Sequence, residues 1–141
     1  MRRLILIAGC IGVLAVTVVA QRSTKFMQML AEARRNVREV SVEEVKARLD
    51  RSEKFLLIDV REDNEWAEGH VPGAIHIGRG VLEKGIEEKA VDGKTPIVVY
   101  CHSGSRSALA AETLQKMGYT NIASMAGGTS AWREKGFPLE K

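Results

Sequence analysis

After Met1-Arg2-Arg3 the chain runs without a charge from Leu4 to Ala20, and from there helical apolar stripes alternate with short continuous apolar runs. Phe26, Met29, Leu30 and Ala33 fall on one helical stripe, so Thr24 to Arg38 predicts a basic spacer helix resting on a domain. Glu39-Val40 reads as a short edge strand. Ser41-Val42-Glu43-Glu44 has the form of a capping box, with Ser41 bonding a first-turn amide and Glu44 reaching back. Val42, Val45 and Leu49 continue that helix. Phe55 to Val60 is apolar until Asp59, which predicts a strand covered on both faces, as in a parallel sheet. Arg61 to Gly69 is charged around Trp66, and His70-Val71-Pro72-Gly73 is a turn.

Further strands are predicted at Ala74–Ile77, Ile97–Tyr100 and Asn121–Met125. Helical patterns separate them at Val81–Val91 and Ser107–Met117, the second closed by Gly118. Gly127-Gly128 is a turn, Thr129 is the expected cap of a last helix, and Trp132 its packing residue. Strands alternating with helices predict an α/β fold, an open and mostly parallel sheet with helices on both faces. Such sheets bind ligands beyond the carboxyl ends of their strands.

Charge and cysteine content narrow the function. The 141 residues suit one domain. Net charge is +3, but without Arg2 and Arg3 the basic residues fall from 21 to 19 against 18 acidic, leaving +1. That balance does not suggest nucleic acid as a partner. Residues 1–20 read as a secretory signal cleaved after Ala20 or as an uncleaved anchor, since the uncharged run can nearly cross a hydrocarbon core of about 30 Å. Arg2 and Arg3 favour a cytoplasmic N-terminus, whereas Arg22, Lys25, Arg34, Arg35 and Arg38 pull the other way. Either reading places the protein outside the cytoplasm or at a membrane, with membrane contact through residues 4–20 if they are retained. The apolar run before Cys10 is too short for a lipoprotein cleavage box.

Of the two cysteines, Cys10 lies in the apolar run, which leaves Cys101 alone in the folded part. A single thiol forms no intramolecular disulfide and no cysteine-rich zinc site. Such a residue is most often a small buried hydrophobe. Here its surroundings argue otherwise. A predicted strand stops at Cys101, and His102-Ser103-Gly104-Ser105-Arg106-Ser107 leads into a helix. A cysteine reacts as the thiolate, which a helix N-terminus and a nearby cation favour. Gly104 permits a tight turn, and the serines leave room for a ligand whose charge the loop amides can hold. Cys101 is therefore the candidate nucleophile and His102 to Ser107 the candidate binding loop. Arg106 either meets an anionic substrate or forms a bridge beneath the loop, with Asp59 as the expected partner. His70 and His76 read as structural histidines.

At this point the sequence resembles the rhodanese-like sulfurtransferase family. Asp59-Val60-Arg61-Glu62, Glu65-Trp66 and Gly69-His70-Val71-Pro72-Gly73-Ala74-Ile75-His76-Ile77 match one signature. Tyr100-Cys101-His102-Ser103-Gly104-Ser105-Arg106-Ser107 matches the active-site loop, and Gly127-Gly128-Thr129-Ser130-Ala131-Trp132 the C-terminal signature. The likeness spans residues 38–138, after a linker at 21–37 and before a tail at 139–141.

The resemblance implies a five-stranded parallel sheet and a Cys101 persulfide formed from thiosulfate or a related donor. It implies a thiophilic acceptor, such as cyanide, glutathione or a protein thiol, and no metal or organic cofactor. Asp59 and Arg61 join the candidate site as supporting residues. Two other readings stay open. One is a persulfide carrier without turnover. The other is a phosphatase or arsenate reductase on the same fold, although such relatives have one residue more between Cys and Arg than the four seen here, His102 to Ser105.

Overall fold

A computed structural model describes residues 24–141. In chain order its elements are α1 (Lys25–Asn36), β1 (Arg38–Val40), α2 (Val42–Asp50), β2 (Leu56–Asp59) and α3 (Asp63–Ala67). There follow β3 (Ile75–His76), a 3-10 turn (Arg79–Val81), α4 (Leu82–Glu87), β4 (Ile97–Tyr100), α5 (Ser105–Lys116), β5 (Ile122–Met125) and α6 (Gly128–Glu134). The five strands form one sheet in the order β1-β5-β4-β2-β3, and every pairing is parallel. The segment expected to be membrane-bound or cleaved, residues 1–20, lies outside the described residues. Among the described residues no helix is long and apolar enough to cross a membrane.

Strand alternation divides the core in two. Ile97 and Val99 of β4, with Ile58 and Ile122 beside them, face Leu82, Ile86, Ala111 and Leu114. Val98 and Tyr100 face the other way, onto Val45, Val71, Met125 and Trp132. All four β4 side chains are buried, which is why the strand reads as one apolar run. Each contributes about 1.5–3 kcal/mol of hydrophobic stabilisation. Cys101 continues the Ile97–Val99 alternation, so its side chain belongs to the α4–α5 face and meets the start of α5.

Some local expectations shift. Helix α1 packs against α5 and buries Leu30 and Ala33 there, while Phe26 and Met29 of its stripe stay about half exposed. Ser41 caps α2 by accepting from Glu44 N–H at 3.1 Å, but Glu44 does not close the box. Its carboxylate pairs instead with Arg38 at 2.8 Å. The helix expected over Val81–Val91 spans only Leu82–Glu87, and α5 begins at Ser105, two residues before its expected start.

Candidate active site

Parallel strands end on one side, so the carboxyl ends of β2, β4 and β5 bring Asp59–Arg61, Cys101 and Ala126–Thr129 to one edge of the sheet. The chain leaves β4 at Cys101 and turns into α5 within the short loop His102–Gly104. Two amides of α6 hold the base of that loop. Thr129 N–H donates to the Cys101 carbonyl and Ser130 N–H to the His102 carbonyl, both at 2.9 Å. Gly128 makes this approach feasible. A Cβ there would overlap the Cys101 carbonyl oxygen and lie 2.6 Å from that of His102, on a backbone at φ +55°.

Gly128→Ala is thus expected to lower stability by about 1–3 kcal/mol from the backbone conformation alone. It should also displace the Cys101 backbone. Circular dichroism melting and the alkylation rate of Cys101 check this, and a variant with wild-type values for both refutes it.

Gly104 has φ +93°, a left-handed conformation that costs glycine little. This turn aims Gly104 N–H at Cys101 Sγ, 3.2 Å away. From the other side the Cys101 thiol donates to Ser107 Oγ at 3.6 Å. Ser107 Oγ also accepts from the Ser124 hydroxyl at 2.9 Å. Cys101, Ser107 and Ser124 are fully buried, whereas His102 and Ser103 are exposed. The first-turn amides of α5 follow Gly104 directly in the chain and have no acceptor within the helix.

The loop residues Cys101 to Ser107 are therefore brought together as the sequence suggested, with His102 outermost. Ser124 was missing from the candidate set. Its one signal is a hydroxyl between Ala123 and Met125 in an apolar strand, and only the pairing of β5 with β4 places it behind Ser107. Thr129 does not cap α6. That position is Gly127, and the Thr129 hydroxyl is buried without a hydrogen-bond partner while its amide serves the loop.

The supporting ion pairs differ from expectation. Asp59 does not pair with Arg106. Arg61 folds back over two residues onto Asp59 with contacts of 2.7–3.0 Å, and its Nη2 also donates to the Gly69 carbonyl at 2.8 Å. Both side chains are buried, so this pair fills the space under the strand end that the Arg106 bridge was expected to fill.

Arg106 instead makes a two-point pair with Glu65, Nη1 to Oε2 at 2.6 Å and Nη2 to Oε1 at 2.7 Å. Glu65 also accepts from Glu62 N–H at 3.1 Å, which fastens the first turn of α3. The Arg106 hydrogen bonds hold the Glu65 carboxyl down at about 2, below the ordinary 4.5. A carboxyl lowered on folding stabilises the fold above its unfolded value and loses that contribution as pH falls. Wild type is thus expected to lose stability relative to Glu65→Gln as pH falls from about 4.5 toward 2. Melting curves of the two proteins across that range test this, and a constant Tm difference refutes it.

The aromatic and histidine residues of this edge form the wall beside the loop. His70 stacks on Trp66 with centroids 3.4 Å apart, and His76 lies 5.0 Å from the same ring. His76 Nε2 donates to the Arg61 carbonyl at 2.9 Å. Val71 N–H donates to the Tyr100 hydroxyl at 3.1 Å, and burial holds that phenol well above its usual range. Both histidines thus pack as structural residues. Among the described residues no group of three or more His, Cys, Asp or Glu side chains is placed to hold a metal ion.

The family comparison agrees with this geometry. The model of the rhodanese-like domain matches residues 41–135, more than half of the chain, and the chain belongs to that family. A sulfurtransferase of Allochromatium vinosum is 33% identical over 103 residues, covering 73% of this chain and 94% of that protein. YrkF of Bacillus subtilis, named as a sulfur carrier protein, is 35% identical over 100 residues, 71% of this chain, and the match spans about half (53%) of YrkF. A solved structure from Rhodopseudomonas palustris superposes with a TM-score of 0.76 at 31% identity, covering 84% of this chain and 96% of that one. That protein is of unknown function and has been suggested to be a tyrosine phosphatase.

Proposed function

We propose that this protein is a sulfurtransferase that carries sulfane sulfur on Cys101. The observation that carries the reading is the seating of the Cys101 sulfur at the start of α5, between Gly104 N–H, which donates to it, and Ser107 Oγ, which accepts from the thiol. In the first half-reaction the Cys101 thiolate attacks the outer sulfur of the donor. A new S–S bond forms, the donor's own bond to that sulfur breaks, and its electron pair leaves with the departing group. From thiosulfate that group is sulfite, and Cys101 holds a persulfide anion. In the second half-reaction a thiolate or cyanide attacks the outer sulfur and the Cys101 thiolate is restored. The loop donors hold the negative charge on the transferred sulfur without rearranging, which is where preorganised donors help most.

Mass spectrometry of the intact protein after incubation with thiosulfate tests the reading. The expected result is a gain of one sulfur mapped to Cys101 and removed by cyanide. Protein that never gains sulfur from any sulfane donor excludes it. Stoichiometric loading without turnover would mark a carrier, a role consistent with the name of YrkF.

The R. palustris likeness motivates a phosphatase alternative. A transferring phosphoryl group needs a cationic clamp, and Arg106 is already held by Glu65. Release of phosphate from an aryl phosphate, abolished by Cys101→Ser, would favour that alternative.

We further propose that residues 1–20 direct export or attach the domain to a membrane. The uncharged Leu4–Ala20 run behind Arg2 and Arg3 supports this. The same mass spectrum reports the N-terminus: a chain beginning at Gln21 marks cleavage. Full-length protein recovered from the soluble cytoplasmic fraction overturns the proposal.

A further inference from the structure

The candidate loop has one guanidinium, that of Arg106, and it is occupied. Glu65 grips it at two points, 2.6 and 2.7 Å, and a Glu62 carboxylate oxygen lies 4.0 Å from the same guanidinium. One cation thus faces two carboxylates, a formal excess of one negative charge beside the loop. The adjacent cations are committed as well. Arg61 is buried against Asp59, and Arg79 donates to Glu83 at 2.9 Å and to Thr113 at 3.0 Å. What remains for a donor's charge is the amides and hydroxyls of the loop and the start of α5. A helix N-terminus is equivalent to roughly half a positive charge. That suits a singly charged or neutral group and falls well short of a dianion, whose desolvation goes largely uncompensated.

Resting on the reading of Cys101 as the sulfur carrier, we propose that Glu65, by engaging Arg106, sets the donor class: the site takes sulfane sulfur from a thiol persulfide in preference to thiosulfate. With a persulfide R–S–SH, the Cys101 thiolate attacks the terminal sulfur, the S–S bond of the donor breaks, and its electron pair leaves with the inner sulfur as R–S⁻. Cys101 then carries –S–SH, and the proton travels with the transferred sulfur. No oxidant or reductant is needed. With thiosulfate the same step brings two negative charges to the loop and expels them as sulfite. Glu65 is a specificity-determining residue here and does not touch the reacting atoms.

Glu65→Gln keeps an oxygen to accept Glu62 N–H while removing the charge that holds Arg106. The experiment measures second-order loading of Cys101 by cysteine persulfide and by thiosulfate, followed by mass spectrometry, in wild type, Glu65→Gln and Cys101→Ser. Wild type is expected to load from the persulfide about a hundredfold faster than from thiosulfate, and Glu65→Gln to shrink that ratio about tenfold through a lower half-saturating thiosulfate concentration. A purely structural role for Glu65 would slow both donors together and leave the ratio unchanged.

The proposal is overturned if wild type loads equally well from both donors, or if folded Glu65→Gln keeps the wild-type ratio. Should the variant fail to fold, the wild-type ratio still decides. Transfer persisting in Cys101→Ser would instead remove the underlying sulfur-transfer reading, a result separate from either ranking of donors.

Discussion

Cys101→Ser is expected to lose sulfur transfer to cyanide by at least about a thousandfold while remaining folded. A hydroxyl is a far poorer nucleophile toward sulfur at neutral pH, and no second described cysteine can replace the thiol. The fold should tolerate the change. Serine is slightly smaller, and its oxygen can still accept from Gly104 N–H and bond Ser107, the two partners of the sulfur. The loop backbone rests on Thr129 and Ser130, which are untouched. Thiocyanate formation measures the loss, and a melting curve close to wild type shows that it is chemical. Turnover above a few per cent of wild type would place the sulfur on some other group.

The second large effect lies beneath the loop and concerns stability. Arg61→Ala leaves the Asp59 carboxylate fully buried with no cation. Breaking a buried pair from one side costs about 3–5 kcal/mol, because the remaining charge is uncompensated. In a domain of this size that lowers Tm by roughly 10–20 °C. Asp59→Ala is expected to be about as harmful, since it strands Arg61 with only the Gly69 carbonyl and the Tyr100 ring, 6.0 Å from its guanidinium carbon. Asp59→Leu with Arg61→Met should recover much of the loss, because a buried pair contributes little beyond an apolar replacement of similar volume. Thermal unfolding of the three variants tests this. Single variants within about 1 kcal/mol of wild type would show that water reaches the pair.

The proposed donor choice and the expected stability effects rest on two ion pairs of different burial. Asp59–Arg61 is sealed and holds the end of β2. Glu65–Arg106 is partly exposed and borders the loop, so it can bear on what the loop binds. Both are carboxylate–guanidinium pairs, and burial separates their roles.

Much of this was legible in the residue order. The continuous apolar runs Phe55–Ile58 and Ile97–Tyr100 and the helical stripes around them define a parallel α/β sheet, because strands covered on both faces bury every side chain. The loop from Cys101 to Ser107 is contiguous, so its turn at Gly104 and its approach to a helix are local properties. Resemblance to a known family reinforced both. The long-range partners were not legible. Arg106 could reach Asp59 or Glu65 by composition alone. Arg61 decides between them by occupying Asp59 across two residues, and the first turn of α3 presents Glu65 to the start of α5. Ser124 entered only through the register of β5 against β4, and Gly128, read as a turn residue, gained its contact with the Cys101 and His102 carbonyls only in the structure.

Residue order alone was enough for the apolar strand runs, the helical stripes and the loop that surrounds Cys101, because these depend on neighbours a few residues apart. Tertiary structure decided which charges cancel, which hydroxyl stands behind Ser107, and why position 128 is glycine. Those outcomes depend on how separate strand ends converge in space, where burial and distance, rather than residue type, choose among partners of equal chemistry.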